Sequence, residues 1–549
     1  MKRRDFLSLK GSRRLAVQTA KSMTVTAGLE PYSGPWEIPQ VTHLLRRTMF
    51  GAKRADCDYF LTLTPAQAIQ TLVNPSPIDF DPLINDYNND DFTDPEVPFG
   101  ESWLDAGYNV DAEGFRILSL KGWWIRNIMN QEQSLEEKML LFWHNHIPIQ
   151  FYDIFSSNWN YHYLQTLRQH QFGNFKALIK AMTLDRAMLH YLNGQYNSKW
   201  QPDENYAREL QELFCIGKGP DAHFTEGDVQ AAARVLTGWR VNYDTNEVYF
   251  DDLDHDTDDK QFSAFYNNVV ISGQTGQNGK QELDELIDML LDNDEAAKFL
   301  CRKLYRFFVS DHIDVTVEEN IIIPLAELFR NNNYEIRPVV ETLIGSQHFF
   351  DVLTRGGMIK SPLDMILGIF REFEAQLPSS EFLSERLTVT NTINYLGIIM
   401  QQDIGDPPNV AGWQAYYQFP VFDKSWVNTD TLPKRAEFTD WVLFSGIETE
   451  NHTTILNLLE VISGLPNPAD PNILIDDIVA WMYGIELAAE AKTFLKSVLL
   501  SGQVTDSYWT NAWFDYESDP SNEMFTETVY SRLRSFFYFL LHLEEYQLS

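Results

Sequence analysis

The stretch LEEKMLLFWHNH, residues 135–146, shows the pattern that decides the fold. Its apolar residues recur every three to four positions, which is the spacing of one face of an α-helix. Ser134 precedes the stretch and Glu137 follows three residues later, so these two are expected to form a capping box at the start of the helix. The stretch therefore predicts an amphipathic helix that ends in two histidines.

The same periodicity extends over much of the chain. Further helices are predicted over residues 204–216, 282–291, 294–310, 318–331 and 336–346. Asp203 is expected to cap the first of these and Gly217 to end it, while Thr225 begins another helix. Strand-like alternation is limited to residues 247–250 and 268–272. The prediction is a mainly α protein, a large multi-helix domain with small β elements and long acidic loops.

Composition divides the chain into three parts. Residues 1–34 form a basic N-terminal segment, residues 35–440 the main helical domain, and residues 441–549 a C-terminal helical part expected to pack on the main domain. Two segments rich in Asp interrupt the helical pattern, an insertion at residues 74–114 and a loop at residues 251–264. Because unpaired carboxylates are costly to bury, both segments are expected on the surface.

The charge of the chain excludes one broad class of function. Lys and Arg total 43 and Asp and Glu total 78, which gives a formal net charge of −35. Such a field repels a polyanion, so general nucleic-acid binding is excluded. The three cysteines lie far apart in the sequence, which excludes a disulfide-dense scaffold and a cysteine-rich zinc site. No run of 18 apolar residues occurs, so no transmembrane helix is predicted.

The first 21 residues carry seven Lys or Arg and a single acid. The string RRDFL, which begins with Arg3 and Arg4, is similar to the twin-arginine export signal that a receptor recognises. The apolar run expected behind it, residues 15–27, is interrupted by polar residues. We expect a periplasmic or secreted protein. The alternative is a basic amphipathic arm on a cytoplasmic protein.

Two histidine-containing strings are candidates for a metal centre. His144 and His146 close the helix at residues 135–146, and at a fraying helix end both imidazoles could converge on one divalent transition metal ion. The alternative is that each is a core histidine, hydrogen-bonded to a backbone carbonyl. His255 and Asp256 would supply a further imidazole and carboxylate to such a centre.

The loop at residues 251–259, which contains this second pair, also has the pattern of a calcium site. Asp recurs at every second position, as the oxygen ligands of calcium loops do. Thr257 stands where an EF-hand needs Gly, and Ser263 stands where it needs a bidentate Glu. An EF-hand is therefore excluded. A looser Ca2+ site and a solvated acidic loop are the two alternatives.

The helix at residues 204–216 carries the candidate catalytic side chains. Arg208 and Glu212 lie opposite its apolar stripe at i,i+4 spacing, and Glu209 lies at the edge of the stripe, where a carboxylate needs a partner. In an enzyme, Glu209 or Glu212 would be a ligand or general base, with Asn205 and Arg208 beside them. The alternative is an exposed ion pair. Standard nucleotide-binding, zincin and serine-hydrolase motifs are absent.

Several separated strings together resemble one family. They are HLLRR at 43–47, FWHNH at 142–146, GNF at 173–175, ENYAREL at 204–210, FTEGDV at 224–229, ARVLTGW at 233–239, HD at 255–256, RKLYRFFV at 302–309, IKSP at 359–362 and PPNVAGW at 407–413. In this order they resemble the large bacterial family catalogued as domain of unknown function 1800, over almost the whole chain. One departure follows PPNVAGW, where Gln414, Ala415 and Tyr416 replace the usual Pro-Gly-Gly.

The resemblance implies a largely helical protein from an uncharacterised family whose members often begin with a twin-arginine-like signal. Their genes often neighbour those of a second exported family related to sulfatases, which makes a co-exported protein of that kind the expected partner. The leading hypothesis is an exported, metal-assisted hydrolase or oxidoreductase in which the polar strings meet in one cleft. The alternative is a non-catalytic protein for envelope assembly or for partner or glycan binding, with a structural polar network.

Overall fold

The computed structural model describes residues 27–75 and 80–549. Arg3 and Arg4 of the predicted export signal lie outside these residues. Helices account for 57% of the structure and strands for 5%, which confirms the mainly α prediction. Within the described ranges, no helix has both the length and the apolar character that are needed to cross a membrane.

The α-helices are numbered here along the chain. The first thirteen are α1 Ile38–Thr48, α2 Arg54–Leu61, α3 Pro65–Val73, α4 Val110–Asn130, α5 Glu136–His146, α6 Phe151–Ile154, α7 Ser157–His170, α8 Phe175–Thr183, α9 Arg186–Tyr191, α10 Glu204–Glu209, α11 Glu226–Val235, α12 Gln281–Asp292 and α13 Asp294–Phe308. The others are α14 Val315–Val317, α15 Ile323–Asn331, α16 Ile336–Ile344, α17 Pro362–Glu372, α18 Leu383–Ile399, α19 Thr431–Phe444, α20 Leu458–Ser463, α21 Pro471–Tyr483, α22 Ala489–Leu499, α23 Ser507–Ser518 and α24 Glu523–Leu541. Two π-helical segments continue this pattern, Leu210–Cys215 after α10 and Glu318–Ile322 between α14 and α15.

Short strands form three antiparallel pairs in the described part of the chain. They are β1 Trp239–Asn242 with β2 Glu247–Phe250, β3 Lys260–Gln261 with β4 Val270–Ile271, and β5 Ile447–Glu448 with β6 Thr453–Thr454. In the first pair, Trp239 lies opposite Phe250. The strand predicted at residues 247–250 is confirmed, whereas only two residues of the predicted strand at 268–272 pair with a neighbour.

Local sequence determines the ends of the helices that carry the predicted catalytic residues. Asp203 Oδ1 accepts a hydrogen bond from the backbone N–H of Asn205 at 2.8 Å, and Thr225 forms a capping box with Asp228. Gly217 has a φ of +89°, a conformation that glycine adopts without strain, and it follows the π-helical segment. These three predicted helix signals are confirmed.

The capping box predicted at Ser134 and Glu137 is wrong. Helix α5 begins at Glu136, and Ser134 Oγ accepts a hydrogen bond from the N–H of Glu136 at 3.0 Å. Glu137 is fully buried and accepts hydrogen bonds from Trp124 Nε1 at 3.0 Å and from Arg168 at 2.7 Å. Its carboxylate therefore satisfies tertiary donors and is not used at the helix end.

One hydrophobic core extends through the molecule and includes residues from Val41 to Tyr546. Helix α1 packs on α21, and α24 packs on α19, α20, α22 and α23. Trp481 of α21 donates from its indole Nε1 to the carbonyl of Ala52 at 2.7 Å. The C-terminal helices thus contact α1 and Ala52, and the division predicted between residues 440 and 441 falls inside α19.

The acidic segment at residues 74–114 is not wholly the surface insertion expected from its composition. Asp94 is 4% exposed and forms an ion pair with Arg116 of α4 at 2.9 Å. Asp86 is also buried, and it pairs with Arg126 of the same helix at 3.3 Å. The expectation assumed unpaired carboxylates. It fails here because α4 supplies an arginine to each of them.

Candidate functional site

His144 lies in the last turn of α5 and is fully buried. Its Nδ1 is 3.0 Å from the hydroxyl of Tyr163, which itself donates to the carbonyl of Ile147 at 2.7 Å. Because the hydroxyl proton is used in that bond, Nδ1 carries a hydrogen and donates, and Nε2 is left without a partner among the described residues. Burial lowers the pKa of His144 to about 3, so the ring is neutral at neutral pH.

His146 is buried in a different environment. Its Nε2 donates to the backbone carbonyl of Phe214, in the π-helical segment after α10, at 3.0 Å. Burial lowers its pKa to about 3, with a smaller contribution from Lys303. His146 therefore matches the alternative of a core histidine bound to a carbonyl. The two imidazoles bond to different elements, since Tyr163 belongs to α7.

His255 and Asp256 are bound by separate partners. His255 Nε2 is 3.0 Å from Glu282 Oε1, and Lys260 Nζ is 2.6 Å from Glu282 Oε2. His255, Lys260 and Glu282 are each at most 1% exposed, and we call them the Glu282 network. Asp256 accepts two hydrogen bonds from Arg234, at 2.7 and 2.9 Å. The predicted placement of the 251–264 loop on the surface is therefore wrong for His255 and Lys260, whose polar atoms are paired inside.

The ion sites predicted from the sequence do not form ligand clusters. Within residues 27–75 and 80–549, no group of three or more His, Cys, Asp or Glu side chains could hold a metal ion. In the proposed Ca2+ loop at 251–259, Asp254 pairs with Arg240 at 2.5 Å and Asp256 pairs with Arg234, so two of the alternating carboxylates are engaged. Each predicted metal ligand instead contacts a different protein group. These ligands are His144, His146, His255 and Asp256.

The predicted catalytic residue Arg208 is the centre of an ion-pair network between α10 and α11. It donates to Glu204 at 2.9 Å and to both carboxylate oxygens of Glu226, at 2.9 and 2.7 Å. Glu212 is 3.5 Å away and also pairs with Lys218. The side chain of Arg208 is 30% exposed and that of Glu226 is 69% exposed. We call these residues the Arg208 network, and its exposure matches the alternative of a solvated ion pair.

Glu209 and Asn205 lie outside those ion pairs. Burial raises the pKa of Glu209, and the neighbouring carboxylate of Glu212 raises it further. Asn205 is exposed, and its backbone N–H bonds to Asp203. Within the part of the chain that the structure describes, no hydrogen bond or ion pair joins either side chain to a predicted metal ligand. The assignment of a catalytic role to these residues stays a prediction.

The structure brings together a different set of polar residues, in a cleft between α1, α5, α17 and the final residues of the chain. The open volume inside the cleft is about 20 Å³. Its charged lining residues are Arg46, Arg47, Lys138, Lys360, Asp364 and Asp423, and its apolar wall includes Phe307, Met358 and Trp426. We call this the cationic cleft, because bases outnumber acids along its surface.

Two cations of the cleft have carboxylate partners. Arg46 Nη2 lies 2.8 Å from Glu372 Oε1, and both side chains are buried. Lys138 forms an ion pair with Asp364, and its Nζ lies 4.6 Å from the centroid of the Phe50 ring. These two positive charges are therefore offset within the protein.

Three cations in or beside the cleft have no carboxylate within 4.0 Å in the described part of the chain. Arg47 donates to the carbonyl of Thr354 at 3.3 Å, and its Nε has no hydrogen-bond partner there. Arg435 donates to the carbonyl of Lys360 at 2.8 Å. Lys360 Nζ lies 3.9 Å from the centroid of the Tyr546 ring. All three cationic side chains belong to residues that are at most 5% exposed.

Burial lowers the pKa values of these three groups. The pKa of Lys360 falls to about 7, and those of Arg47 and Arg435 fall to about 10. Such shifts mean that the folded protein disfavours the charged forms, because water has been removed and the nearby carboxylates, among them Asp364 and Asp423, offset this loss only in part. The folded protein thus desolvates these three basic groups without forming an ion pair to any of them.

Local sequence positions the basic residues of the cleft. Arg46 and Arg47 occupy the last turn of α1, where cations are favourable for the helix dipole. Ser361 Oγ accepts a hydrogen bond from the N–H of Asp364 at 3.1 Å and caps α17. Lys360 is thereby fixed directly before the first turn of α17, at the edge of the cleft.

The basic residues of HLLRR and IKSP have no predicted role at the level of sequence, where they serve only for the resemblance. A signal was nevertheless present in the first string. Arg46 and Arg47 directly follow two leucines in an amphipathic pattern, and charged residues in such a position need partners from elsewhere in the fold. Arg435 has no comparable signal, because only the tertiary structure brings it to Lys360.

The family model described as protein of unknown function (DUF1800) matches residues 43–548. The match covers nearly the whole chain, so the chain belongs to this family, as the separated strings indicated. It includes HLLRR, IKSP and the residues of the Glu282 network. No curated protein and no solved structure matches the chain.

Proposed function

We propose that this member of the DUF1800 family binds a small anion in the cationic cleft. The observation that carries the proposal is the group of three buried cations, Arg47, Lys360 and Arg435, that have no carboxylate within 4.0 Å in the described part of the chain. Burying an unpaired charge costs several kcal/mol, so these three groups are destabilising unless an anion offsets them.

The chemistry of the cleft indicates the kind of anion. A guanidinium presents a planar set of donors that matches a carboxylate, phosphate or sulfate group, and Arg47 Nε is free to donate in this way. The open volume of about 20 Å³ has room for a group of roughly the size of one water molecule, and Phe307, Met358 and Trp426 form an apolar wall beside it. Both features favour a small carboxylate, or the anionic end of a larger molecule.

Thermal unfolding of the full protein tests the proposal. Oxalate, phosphate and sulfate are each added at constant ionic strength, with chloride as the reference. At least one is expected to raise the melting temperature, because a ligand that binds only the folded state stabilises it. Arg47→Met should weaken that binding by on the order of tenfold, since a charge-assisted hydrogen bond is lost.

Arg208→Met provides a matched control. It removes an arginine whose guanidinium is already paired with three carboxylates, and it should leave the response to anions unchanged. The proposal is wrong if no anion stabilises the wild-type protein more than chloride does, or if both variants lose the response equally.

The non-catalytic alternative has a specific observation in its favour. The Glu282 network is buried and its charges are paired, which is the arrangement of a structural polar network. A metal-assisted hydrolase or oxidoreductase has no ligand cluster among the described residues to support it. Elemental analysis of the purified protein tests that hypothesis, and a bound transition metal at one ion per chain would favour it over the structural alternative.

We also propose export to the periplasm or beyond, based on the string RRDFL at residues 3–7. Residues 1–34 fused to a reporter that works only when it is exported after folding should direct export. Arg3→Lys combined with Arg4→Lys should abolish it. Export by neither fusion would favour a cytoplasmic protein, and equal export of both would show that Arg3 and Arg4 do not direct it. The co-exported, sulfatase-related partner rests on this proposal and would be sought by co-purification.

A further inference from the structure

Lys360 differs from the other buried lysines in the described part of the chain. Lys121, Lys138 and Lys260 each form an ion pair with at least one carboxylate. Lys360 is similarly buried, at 5% exposure, yet its Nζ has no carboxylate within 4.0 Å and no hydrogen bond among the described residues. Its close contact is the face of the Tyr546 ring. The amine is therefore held in place without being used in an ion pair.

The charges around Lys360 favour a neutral amine. Burial is the main cause of its lowered pKa, and the cations Arg46 and Arg435 add to the effect. The carboxylates of Glu372 and Asp364 oppose it, but both are already engaged in ion pairs. With a pKa of about 7, a large share of the molecules carry a free lone pair on Nζ at neutral pH. Desolvation beside other cations is a known way to activate a lysine nucleophile.

We propose that Lys360 is a nucleophile that forms an imine with the carbonyl group of a small anionic aldehyde or ketone held in the cationic cleft. This inference rests on the proposed function, because Arg47 is assigned to the negative group of that molecule. A small oxo acid has both features, with a carboxylate for Arg47 and an adjacent carbonyl carbon for Nζ. Lys360 and Arg47 line the same cleft, as this assignment requires.

A carboxylate in the same cleft can carry the proton that the reaction moves. Asp423 Oδ2 accepts the N–H of Ile359 at 2.7 Å, whereas Oδ1 has no hydrogen-bond partner among the described residues. Burial raises the pKa of Asp423, which makes it a better proton acceptor. Ile359 directly precedes Lys360, so this backbone bond fixes the carboxylate next to the segment that carries the amine.

The reaction needs no external oxidant or reductant. The lone pair of Nζ forms the C–N bond while the π pair of the carbonyl moves to its oxygen, and a proton passes from nitrogen to that oxygen through Asp423. The nitrogen lone pair then forms the C=N bond, the C–O bond breaks, and the hydroxyl group leaves as water with the second proton of the amine nitrogen, which Asp423 transfers. One amine and one carbonyl give one imine and one water.

Reductive labelling of the full chain tests the inference. Glyoxylate is the smallest anionic aldehyde, and cyanoborohydride converts its imine into a stable amine that adds one carboxymethyl group to the lysine. Peptide mass spectrometry then locates each labelled lysine. Lys360 is expected to react at neutral pH on the order of tenfold faster than exposed lysines, because a far larger fraction of it is neutral. Lys138 lines the same cleft but is ion-paired, and it should stay unlabelled.

Lys360→Arg retains the positive charge and removes the primary amine, so it should lose this label. The wild-type labelling pattern is itself decisive, and the test therefore does not depend on how well the variant folds. Labelling of Lys360 that is no faster than that of exposed lysines overturns the inference.

A neutral aldehyde of similar size, glycolaldehyde, separates this inference from the proposed function. Faster labelling of Lys360 by glyoxylate than by glycolaldehyde, with competition by oxalate, supports both. Equal fast labelling by both reagents without competition supports the nucleophile and contradicts the anion site. Stabilisation by oxalate that requires Arg47, without labelling of Lys360, supports the anion site and overturns the nucleophile.

Discussion

The Glu282 network and the cationic cleft both bury a lysine, but only the Glu282 network pairs the lysine with a carboxylate. Lys260 and His255 both reach the carboxylate of Glu282, at 2.6 and 3.0 Å. Lys360 has no carboxylate within 4.0 Å in the described part of the chain, and Arg47 of the same cleft has none either. A buried charge alone thus does not indicate a ligand site. The informative feature is a buried charge that the protein itself does not pair.

The sharpest test of this comparison is to break the paired region. Glu282→Gln removes the nearest counter-ion of the buried Lys260 and leaves only Asp256, 3.9 Å away, so the free energy of unfolding is expected to fall by about 3–5 kcal/mol. Urea denaturation measures the loss. Glu285→Gln changes an exposed residue of the same helix and is the matched control. Equal small losses in the two variants would mean that the network does not stabilise the fold.

The second test uses pH to compare the two lysines. The pKa of Lys360 is about 7 in the folded protein, and its ordinary value is 10.5. Between pH 7 and pH 10.5 the amine is therefore mostly protonated in the unfolded chain and mostly neutral in the folded one. The free energy of unfolding should therefore rise with pH by about 1 kcal/mol per unit in this window, and the stabilisation should be lost as pH falls toward 7.

Lys360→Met removes the titrating group and should remove this slope. Urea denaturation of both proteins, from neutral pH to about pH 9, gives the difference between their free energies of unfolding. Parallel curves over that range would show that Lys360 is not held as a neutral amine, and the contrast with Lys260 would disappear.

The fold could be predicted from the sequence to the extent that it depends on local signals. The periodicity of apolar residues gave the helices, and Asp203, Gly217 and Thr225 marked their ends correctly. The prediction failed where a side chain has a distant partner. Glu137 is bound by Trp124 and Arg168, neither of which the local pattern at the start of α5 includes.

The site was harder to predict, for the same physical reason. Whether a histidine or carboxylate is free to act depends on which groups surround it, and spacing along one helix does not contain that information. Arg208 and Glu212 do face each other as their i,i+4 spacing indicated, but the partner Glu226 comes from α11. The cleft brings together residues that are far apart in the sequence, such as Arg47 and Lys360. The local sequence around one of them does not indicate the other.

Replacement of Arg47 is expected to change the free energy of unfolding in the opposite direction to Glu282→Gln. Arg47→Met replaces an unpaired buried cation with an apolar side chain, so in a buffer without binding anions the free energy of unfolding should rise by about 1 kcal/mol. The same variant should lose the stabilisation that oxalate gives the wild-type protein. Urea denaturation with and without oxalate measures both effects. A loss of stability comparable to that of Glu282→Gln would mean that Arg47 is a structural residue and would remove the distinction between the two regions.

The smallest effect is expected in the exposed Arg208 network, which extends the comparison to charges that are paired in contact with solvent. Arg208→Gln should lower the free energy of unfolding by only about 0.2–1 kcal/mol, because water and salt screen such pairs. Raising the salt concentration should reduce that loss, whereas the loss caused by Glu282→Gln should hardly change, since the Glu282 network is buried and little screened. Urea denaturation of the two variants at low and high salt measures the difference. A large, salt-independent loss from Arg208→Gln would show that this network holds α10 and α11 together from inside, and it would return Arg208 to the candidate site predicted from the sequence.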